Sequence, residues 1–276
     1  MSINATIAAT DKNFAGAIPK LYDTYLVPML FQSYAHDLVS RLKQKKLSRI
    51  LEIAAGTGVV TRLMAEALPH DVEIVATDLN QAMIDQAQQI GTPREVKWQQ
   101  ADAMQLPFED SVFDAVICQF GAMFFPDKAK AYAEVRRVLK PGGLFLFNVW
   151  DRVEENHFAD VVTQALATVF PDNPPRFMAR TPHGYYDHRL IAADLHQGGF
   201  TTKASFDTVS KISNADSAAI VAMAYCQGTP LRNEIEARDA SRMEEATRIA
   251  ETALIQRFGD GPVSAKIQAH VVSIER

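Results

Sequence analysis

The chain has 276 residues, of which 47% are hydrophobic, and it carries a formal net charge of −5. This length exceeds one ordinary domain without reaching two, and the composition is that of a globular protein with a sizeable core. The acidic balance, with no run of five or six like charges, argues against a surface that binds nucleic acid.

The N-terminal part of the chain is predicted to be helical. Residues 14–46 have the pattern of two helices separated near Pro28, and we expect them to form a lid. The opening stretch, MSINATIAATDKNF, lacks the basic segment and apolar core of a secretory signal. No apolar run approaches the ~20 residues of a membrane span, and Cys118 and Cys226 are expected to be reduced thiols. These features predict a cytoplasmic protein.

Residues 47–150 alternate between two sequence patterns. Runs of β-branched and aromatic residues predict strands, and between them apolar positions recur with helical spacing. The predicted strands are 49–53, 72–77, 95–100, 112–119 and 143–150, and the predicted helices include 59–68 and 127–139. Near-continuous apolar strands separated by amphipathic helices indicate an α/β protein with a doubly wound, mostly parallel sheet covered on both faces.

The remainder of the chain is predicted to add two strands to this sheet. In order, we expect an irregular segment, a helix, a strand, two helices and a last strand, at 151–186, 188–197, 200–212, 215–227, 231–258 and 266–275. Because the helices at 215–258 lie between two predicted strands, we interpret them as cap helices inserted into one seven-stranded sheet. Residues 1–276 are then one domain, with substrate-side insertions over 151–265.

The stretch RILEIAAGTGVV (49–60) has the pattern of a strand, a glycine turn and the start of a helix, which is typical of a nucleotide-binding loop. A phosphate-binding loop of nucleotide triphosphatases would need Lys and then Ser or Thr after the second glycine, but Val59 follows Gly58. A dinucleotide fingerprint read from Gly56 ends in Thr61 instead of a third glycine or alanine. A dehydrogenase therefore remains an alternative on the loop alone.

Three acidic residues are predicted to end neighbouring strands. Glu52 precedes the glycine turn, where its carboxylate would repel a pyrophosphate and attract a cationic group. Asp78 lies about 20 residues past the loop, at the position from which an acid binds both ribose hydroxyls. Asp102 follows the third strand and suits an exocyclic amine donor, such as that of adenine. Together these acids describe a ligand with an ammonium or sulfonium, a ribose and an adenine.

Four motifs occur in order: LEIAAGTG, ATDLNQAMI, ADAMQLPFEDSVFD and the EVRRVLKPGG that leads into LFLFNVW. This series resembles that of class I S-adenosylmethionine-dependent methyltransferases of the type 11 group, and it is similar to the ubiquinone/menaquinone ring methyltransferases. The resemblance covers about residues 47–150. It implies a Rossmann-like fold, S-adenosylmethionine as cofactor, S-adenosylhomocysteine as product and a small-molecule methyl acceptor, in a monomer or homodimer.

The resemblance also implies which residues bind the cofactor. Glu52 would face the methionine ammonium directly or through water, Asp78 would bind the ribose, and Asp102 would read the adenine edge. The implied set is Glu52, Ala54, Ala55, Gly56, Gly58, Asp78, Leu79, Met83, Asp102, Ala103, Met104, Gln119, Tyr22 and Tyr25. Ala54 stands where the family often has glycine, and its methyl group predicts a backbone φ below 0°. For Asp78 the alternative role is a helix N-cap.

Methyl transfer from an activated sulfonium requires alignment and the exclusion of water more than it requires a catalytic side chain. A phenol or a carbon acid as acceptor would gain from a base, for which the candidates are His157, His183 and Tyr22. An apolar or aromatic pocket for the acceptor is predicted from Phe124, Phe125, Phe158, Tyr185, Tyr186 and Tyr225.

Other interpretations of the sequence stay open. In HGYYDH, the residues His183, Asp187 and His188 could be read as a metal site, but their spacing fits no regular element, and no metal is expected. A protein that binds S-adenosylmethionine without transferring its methyl group is compatible with the motifs. A dehydrogenase would leave PFEDSVFD and LKPGG unexplained.

Overall fold

The computed structural model describes residues 9–12, 14, 16, 18–43 and 45–276. Its central element is a seven-stranded sheet of strand order β3-β2-β1-β4-β5-β7-β6. The strands are β1 Arg49–Glu52, β2 Glu73–Asp78, β3 Lys97–Gln100, β4 Phe113–Gln119, β5 Leu139–Trp150, β6 Ser205–Ala215 and β7 Val263–Glu275. Strands β1 to β5 pair in parallel, whereas β7 pairs antiparallel with both β5 and β6. The predicted mostly parallel, seven-stranded α/β sheet is confirmed.

Helices cover both faces of the sheet. They are α1 Ile18–Leu21, α2 Gln32–Leu42, α3 Val59–Ala67, α4 Gln81–Ile90, α5 Lys128–Val138, α6 His157–Val169, α7 Phe177–Arg180, α8 His188–Gln197, α9 Ala218–Gln227, α10 Leu231–Asp239 and α11 Met243–Phe258. Along β4 the side chains alternate between two apolar clusters. Ala115 and Ile117 belong to the cluster under α2 and α3, and Val116 and Cys118 to the cluster under α5 and α6. Burial on both faces explains the near-continuous apolar strands.

The N-terminal helices are continuous, and the predicted separation near Pro28 is wrong. A π-helical segment, Tyr22–Phe31, joins α1 to α2 and contains Pro28. The backbone N–H of Gln32 bonds to the carbonyl of Val27, five residues earlier, at the end of this wider turn. The wider hydrogen-bond pattern accommodates a residue that lacks a backbone N–H, so the chain continues as one helical rod.

Two predictions about the C-terminal half also need correction. The segment 151–186 is not irregular throughout, because it contains α6 and α7. The β-branched residues of α6 obscured its helical pattern, and tertiary packing decides the conformation: Phe158 meets Phe258 of α11 edge to face at 5.1 Å. The predicted helix 231–258 is interrupted at Ala240–Arg242, where the Asp239 side chain accepts bonds from the backbone N–H and hydroxyl of Ser241.

Helices α9 to α11 lie between β6 and β7 in the chain, as predicted for an inserted cap. The N-terminal helices pack against β6, the strand at one edge of the sheet. The Tyr34 hydroxyl donates to the carbonyl of Val209 at 2.9 Å, and the Ser213 hydroxyl donates to the carbonyl of Met29 at 2.9 Å. None of the helices in the described part of the chain is both long enough and apolar enough to cross a bilayer. The opening stretch MSINATIAATDKNF, in which no secretory signal is predicted, lies largely outside the described residues.

Candidate active site

A cleft opens at the carboxyl ends of the parallel strands, under the N-terminal helices and α9. This is the edge of a doubly wound sheet at which ligands bind. The predicted residues that line it are Ala54, Gly56, Asp78, Leu79, Met83, Asp102, Ala103, Met104, Gln119, Tyr22, Phe124, Phe125, Tyr225 and His183. The structure therefore brings most of the predicted cofactor residues into one space.

The loop after β1 has a left-handed backbone at Ala54, with φ of 52°, so the prediction of a φ below 0° is wrong. Both neighbours are tethered to the sheet: the Ile53 N–H bonds to the carbonyl of Ile117, and the Ala55 N–H bonds to the carbonyl of Thr77, each at 2.9 Å. With both sides held, the chain reverses at Ala54. Such a conformation costs a non-glycine residue roughly 1–2 kcal/mol.

The two glycines of the loop serve different purposes. Both have a positive φ, 57° at Gly56 and 82° at Gly58. A Cβ added to Gly56 would make only an ordinary contact with Met83 and would face the cleft. A Cβ added to Gly58 would lie 2.8 Å from the ring of Trp98, so this glycine permits packing of the loop against β3. Gly58 and Ala55 do not line the cleft.

Asp78 ties the loop to β2. Its carboxylate accepts the backbone N–H of Gly56 and that of Asn80, each at 2.8 Å. Burial raises the pKa of Asp78, and these backbone bonds oppose that rise by stabilising the charged form. Helix α4 begins after Asn80, so Asp78 is not its N-cap. Asp78 lines the cleft, and its binding of ribose hydroxyls stays a prediction.

Glu52 lies beneath the loop instead of in the cleft. Its side chain is buried, and the Thr61 hydroxyl of α3 donates to it at 2.5 Å. Burial raises the pKa of Glu52 to about 8, against the lowering effects of the Thr61 hydrogen bond and the Arg62 charge. Glu52 does not line the cleft, so its direct contact with a ligand ammonium stays a prediction.

Asp102 and Gln119 both line the cleft and carry oxygen atoms that can accept hydrogen bonds. One carboxylate oxygen of Asp102 accepts the Met104 N–H at 2.8 Å, which fixes the side chain next to Ala103. The buried Oε1 of Gln119 has no partner in the described structure, while its amide donates to the carbonyl of Phe31 at 3.4 Å. A buried acceptor without a donor fits a ligand that brings one, such as an ammonium group.

A second group of residues that line the cleft is mostly aromatic, and we call this group the acceptor chamber. It is defined by Leu26, Phe31, Phe120, Met123, Phe124, Trp150, Met178, His183 and Tyr225. Phe120 has a φ of 50° and stacks on Trp150 with ring centroids 3.8 Å apart. Strained non-glycine residues at both Ala54 and Phe120 are typical of a functional site. Sequence reasoning missed Phe120 and Trp150, although both stand at strand ends on the same edge as Asp78.

Several residues predicted at the site lie elsewhere. Phe158 is core, and Tyr185 is buried behind the sheet, where its hydroxyl donates to Asp194. Tyr186 is 40% exposed. Tyr25, Phe158, Tyr185, Tyr186 and His157 do not line the cleft. A periodic or aromatic sequence pattern does not reveal which face of an element meets a cavity.

The three candidate bases differ in their burial, hydrogen bonds and pKa values. His183 is buried at the cleft, its Nδ1 lies 2.7 Å from the carbonyl oxygen of Asp151, and burial lowers its pKa to about 4. His157 stands at the start of α6, and burial lowers its pKa as well. Tyr22 lines the cleft and stacks on Phe31 with centroids 4.9 Å apart. Burial raises the pKa of the Tyr22 phenol, so it keeps its proton.

The HGYYDH segment does not gather its polar side chains at one point. Asp187 caps α8 by accepting the Arg189 N–H at 2.8 Å, and the His188 ring stacks on Phe206 with centroids 4.5 Å apart. His183 instead contacts the backbone of Asp151. Within the described ranges, no group of three or more His, Cys, Asp or Glu residues could hold a metal ion.

Comparison with known proteins shows what this arrangement is similar to. Residues 51–147 match the family described as Methyltransferase domain. Residues 51–147 are therefore similar to a methyltransferase domain. The matched region contains the loop after β1, Asp78, Asp102 and Gln119, all of which contribute to the cleft.

The chain is also similar to proteins that are named as methyltransferases. It is 39% identical over 102 residues to the ubiquinone/menaquinone biosynthesis C-methyltransferase of Idiomarina loihiensis, covering 36% of this chain and 41% of that protein. It is 33% identical over 164 residues to the enzyme of the same name from Marinomonas sp., covering 55% of this chain and 65% of that protein. The chain thus spans less than two thirds of the length of these relatives.

A solved structure confirms the class I methyltransferase fold. The phosphoethanolamine N-methyltransferase 2 of Haemonchus contortus, in complex with S-adenosyl-L-methionine, superposes with a TM-score of 0.57 at 15% identity. The alignment covers 99% of this chain and 60% of the other. The Rossmann-like architecture around the methyltransferase domain therefore extends well beyond the region matched by sequence.

Proposed function

We propose that this protein transfers a methyl group from S-adenosylmethionine to a small apolar or aromatic molecule bound in the cleft. The observation that carries the proposal is the bond from the Gly56 N–H to Asp78 at the cleft wall of a methyltransferase domain. This bond places a buried carboxylate and a close-approach glycine side by side, as a ribose next to a glycine turn requires.

The residues present fit the cofactor. Asp78 would accept the ribose hydroxyls, Asp102 the adenine amine and Gln119 Oε1 the methionine ammonium, which supplies the donor that this buried oxygen lacks. The Leu79 side chain is 44% exposed, so it has apolar surface available to a ligand. Met83 lies near Gly56, and both Leu79 and Met83 can therefore contact the adenine. When bound, the cofactor supplies an activated methyl group on a positively charged sulfur.

The protein contributes alignment and the exclusion of water. The acceptor chamber would hold an aromatic ring against its aromatic lining, which includes Phe120 and Trp150. The names of the relatives indicate ring methylation in quinone biosynthesis, and an aromatic chamber of this kind supports a quinol-like acceptor here. The charged side chains that line the cleft, among the described residues, are Lys12, Asp78 and Asp102.

A transfer assay tests this function. The protein would be incubated with methyl-labelled S-adenosylmethionine and one of three probes: 1,4-naphthohydroquinone, 2-naphthol or 2-naphthylamine. We expect S-adenosylhomocysteine and a labelled aromatic product to form in equal amounts with at least one hydroxylated probe. Binding of the cofactor without transfer to any probe would contradict the proposal and favour a protein that binds S-adenosylmethionine without methylating. Asp78→Asn should reduce transfer, and exposed Asp71→Asn, at the other end of β2, should not.

A further inference from the structure

We infer that His183 is the proton acceptor of the reaction and that the acceptor molecule presents a ring hydroxyl to its Nε2 atom. This inference rests on the proposed methyl transfer and adds to it a catalytic residue and a substrate class. It starts from the hydrogen bond at the other nitrogen of the ring. His183 Nδ1 lies 2.7 Å from the carbonyl oxygen of Asp151.

A carbonyl oxygen can only accept, so Nδ1 must carry the hydrogen. The neutral ring then has its lone pair on Nε2, which makes no hydrogen bond within the described part of the chain. Because the ring lines the cleft, this lone pair is available to a ligand there. The side chain of Asn156 donates to the same carbonyl at 3.2 Å, so the oxygen that holds the ring is itself held in place.

Ring contacts connect His183 to the strand end where the methyl group is expected. Its ring centroid lies 6.0 Å from that of Trp150, and Trp150 stacks on Phe120, the neighbour of Gln119. His183 therefore lines the acceptor chamber beside Trp150. Tyr22 and Tyr225 also line the cleft, but burial raises the pKa of both phenols, so neither can take a proton.

The charges of the cleft favour a hydroxyl over an ammonium group as the partner of Nε2. The two carboxylates that line the described cleft, Asp78 and Asp102, belong to the cofactor part, so an ammonium in the acceptor chamber would be buried without a counter-charge. The neutral His183 ring accepts a hydrogen bond from a phenolic hydroxyl at no such cost. The acceptor is thus assigned to hydroxylated aromatic rings.

The step balances with one proton released. As the acceptor oxygen, or the ring carbon conjugated to it, forms its bond to the methyl carbon, the S–CH3 bond breaks and its electron pair stays on sulfur. The hydroxyl becomes strongly acidic as this bond forms, so even a weakly basic imidazole can take its proton. After methylation at carbon, the ring C–H proton is lost to water and the hydroxyl is restored from His183; after methylation at oxygen, the proton leaves His183 for solvent.

The pH dependence of kcat/KM distinguishes a buried His183 as the base from a solvent-exposed histidine as the base. Burial lowers the pKa of His183 to about 4, and the charged group that acts on it is Asp151, whose carboxylate also contacts His270 and Gln268. His183 therefore stays unprotonated at mildly acidic pH. We expect kcat/KM to stay level between about pH 8 and 5.5, whereas a base with the usual histidine pKa of about 6.5 would lose activity across this range.

Binding and turnover of two variants test the role itself. With S-adenosylhomocysteine bound, the wild-type protein should bind 2-naphthol about fivefold to tenfold more tightly than naphthalene, the gain from one hydrogen bond. His183→Phe should remove this preference. His183→Gln keeps an acceptor atom but no basic nitrogen, so the preference should remain while transfer to 2-naphthol or 1,4-naphthohydroquinone falls by about 100-fold. The exposed His196→Gln is the matched control.

Each failure has a distinct signature. A naphthol preference that survives in His183→Phe, or full turnover in His183→Gln, would overturn the inference and leave the proposed function standing. Transfer to 2-naphthylamine alone would also overturn it. If His183→Phe does not fold, the His183→Gln comparison still decides the question. A hydroxyl preference that depends on His183 in a protein with no methyl transfer would instead contradict the proposed function.

Discussion

The methyl group of Ala54 occupies the space that a side chain at Gly121 would need. A Cβ built on Gly121 would lie 2.5 Å from the Ala54 Cβ and 2.8 Å from the Cys118 sulfur. Ala54 lies in the loop after β1 and Gly121 follows β4, so this contact joins the loops that follow two neighbouring strands. The alanine in the cofactor loop is thus matched by a glycine in the neighbouring loop.

This contact predicts a coupled pair of substitutions. Gly121→Ala should lower the free energy of unfolding by about 1–3 kcal/mol, because the new methyl group overpacks the loops. Ala54→Gly alone should change stability by less than about 1 kcal/mol, since relief of the left-handed backbone offsets the added freedom of the unfolded chain. In the double variant the cost of Gly121→Ala should shrink but not vanish, because Cys118 remains. Urea unfolding of the four proteins measures the coupling; strict additivity would contradict the contact.

The glycines of the loop should separate stability from binding. Gly58→Ala forces its methyl group against Trp98, in addition to the strain of a positive φ, so we expect a loss of about 2–3 kcal/mol in unfolding free energy. Gly56→Ala meets only Met83 at an ordinary distance and should lose about 1 kcal/mol. Gly56→Val should instead abolish cofactor binding, because a branched side chain would enter the cleft. Thermal unfolding and titration with S-adenosylhomocysteine check both claims, and normal binding by Gly56→Val would refute the second.

Some features of the site follow from local sequence and others do not. Acids at strand ends are visible in the sequence, and the structure places Asp78 and Asp102 along one cleft because parallel strands end at one edge. The positive φ of Ala54 was not predictable, because it arises from hydrogen bonds to Thr77 and Ile117, which are distant in the chain. The helix is continuous through Pro28 because of a π-helical segment, which the local sequence pattern does not predict.

The roles of aromatic and titratable residues are likewise not predictable from local sequence alone. Phe124 and Phe158 are both predicted in the acceptor pocket, and nothing in the sequence distinguishes them. Only Phe124 lines the cleft, because the packing of α6 against α11 buries Phe158. The sequence predicts both His157 and His183 as candidate bases, within a segment predicted to be irregular. The backbone carbonyl of Asp151 distinguishes them by fixing the His183 ring, and that contact depends on how β5 ends relative to the following loops.

The buried Glu52 should make stability depend on pH. Its pKa is raised to about 8 in the folded protein, above the usual value of about 4.3 in an unfolded chain. The folded state therefore holds a proton that the unfolded state loses, and this contribution to stability is complete below about pH 4 and is lost as the pH rises through 8. Compared with wild type, Glu52→Gln should gain in melting temperature as the pH rises from about 5 to 8. Parallel curves for the two proteins over this range would contradict a protonated Glu52.

An ion-pair network fastens the N-terminal segment next to the cleft. Arg180 of α7 contacts the buried Asp11 at 2.7 Å and Glu234 of α10 at 2.6 Å, and Lys12 and Phe14 beside Asp11 line the cleft. Arg180→Gln would leave Asp11 without its counter-charge and should destabilise this segment by about 1–3 kcal/mol. We expect faster proteolysis near the N-terminus and weaker binding of S-adenosylhomocysteine. Arg232→Gln, which breaks an exposed pair with Glu236, is the control and should leave both unchanged.

Isothermal titration of the wild-type protein with S-adenosylhomocysteine tests the central claim most directly. We predict one site per chain, no binding of NAD, and an affinity reduced by about 10–100-fold in Asp78→Asn, as expected for lost hydrogen bonds to a charged group. Asp71→Asn should bind as wild type does. Absence of S-adenosylhomocysteine binding by the folded wild-type protein would contradict the assignment of the cleft to this cofactor.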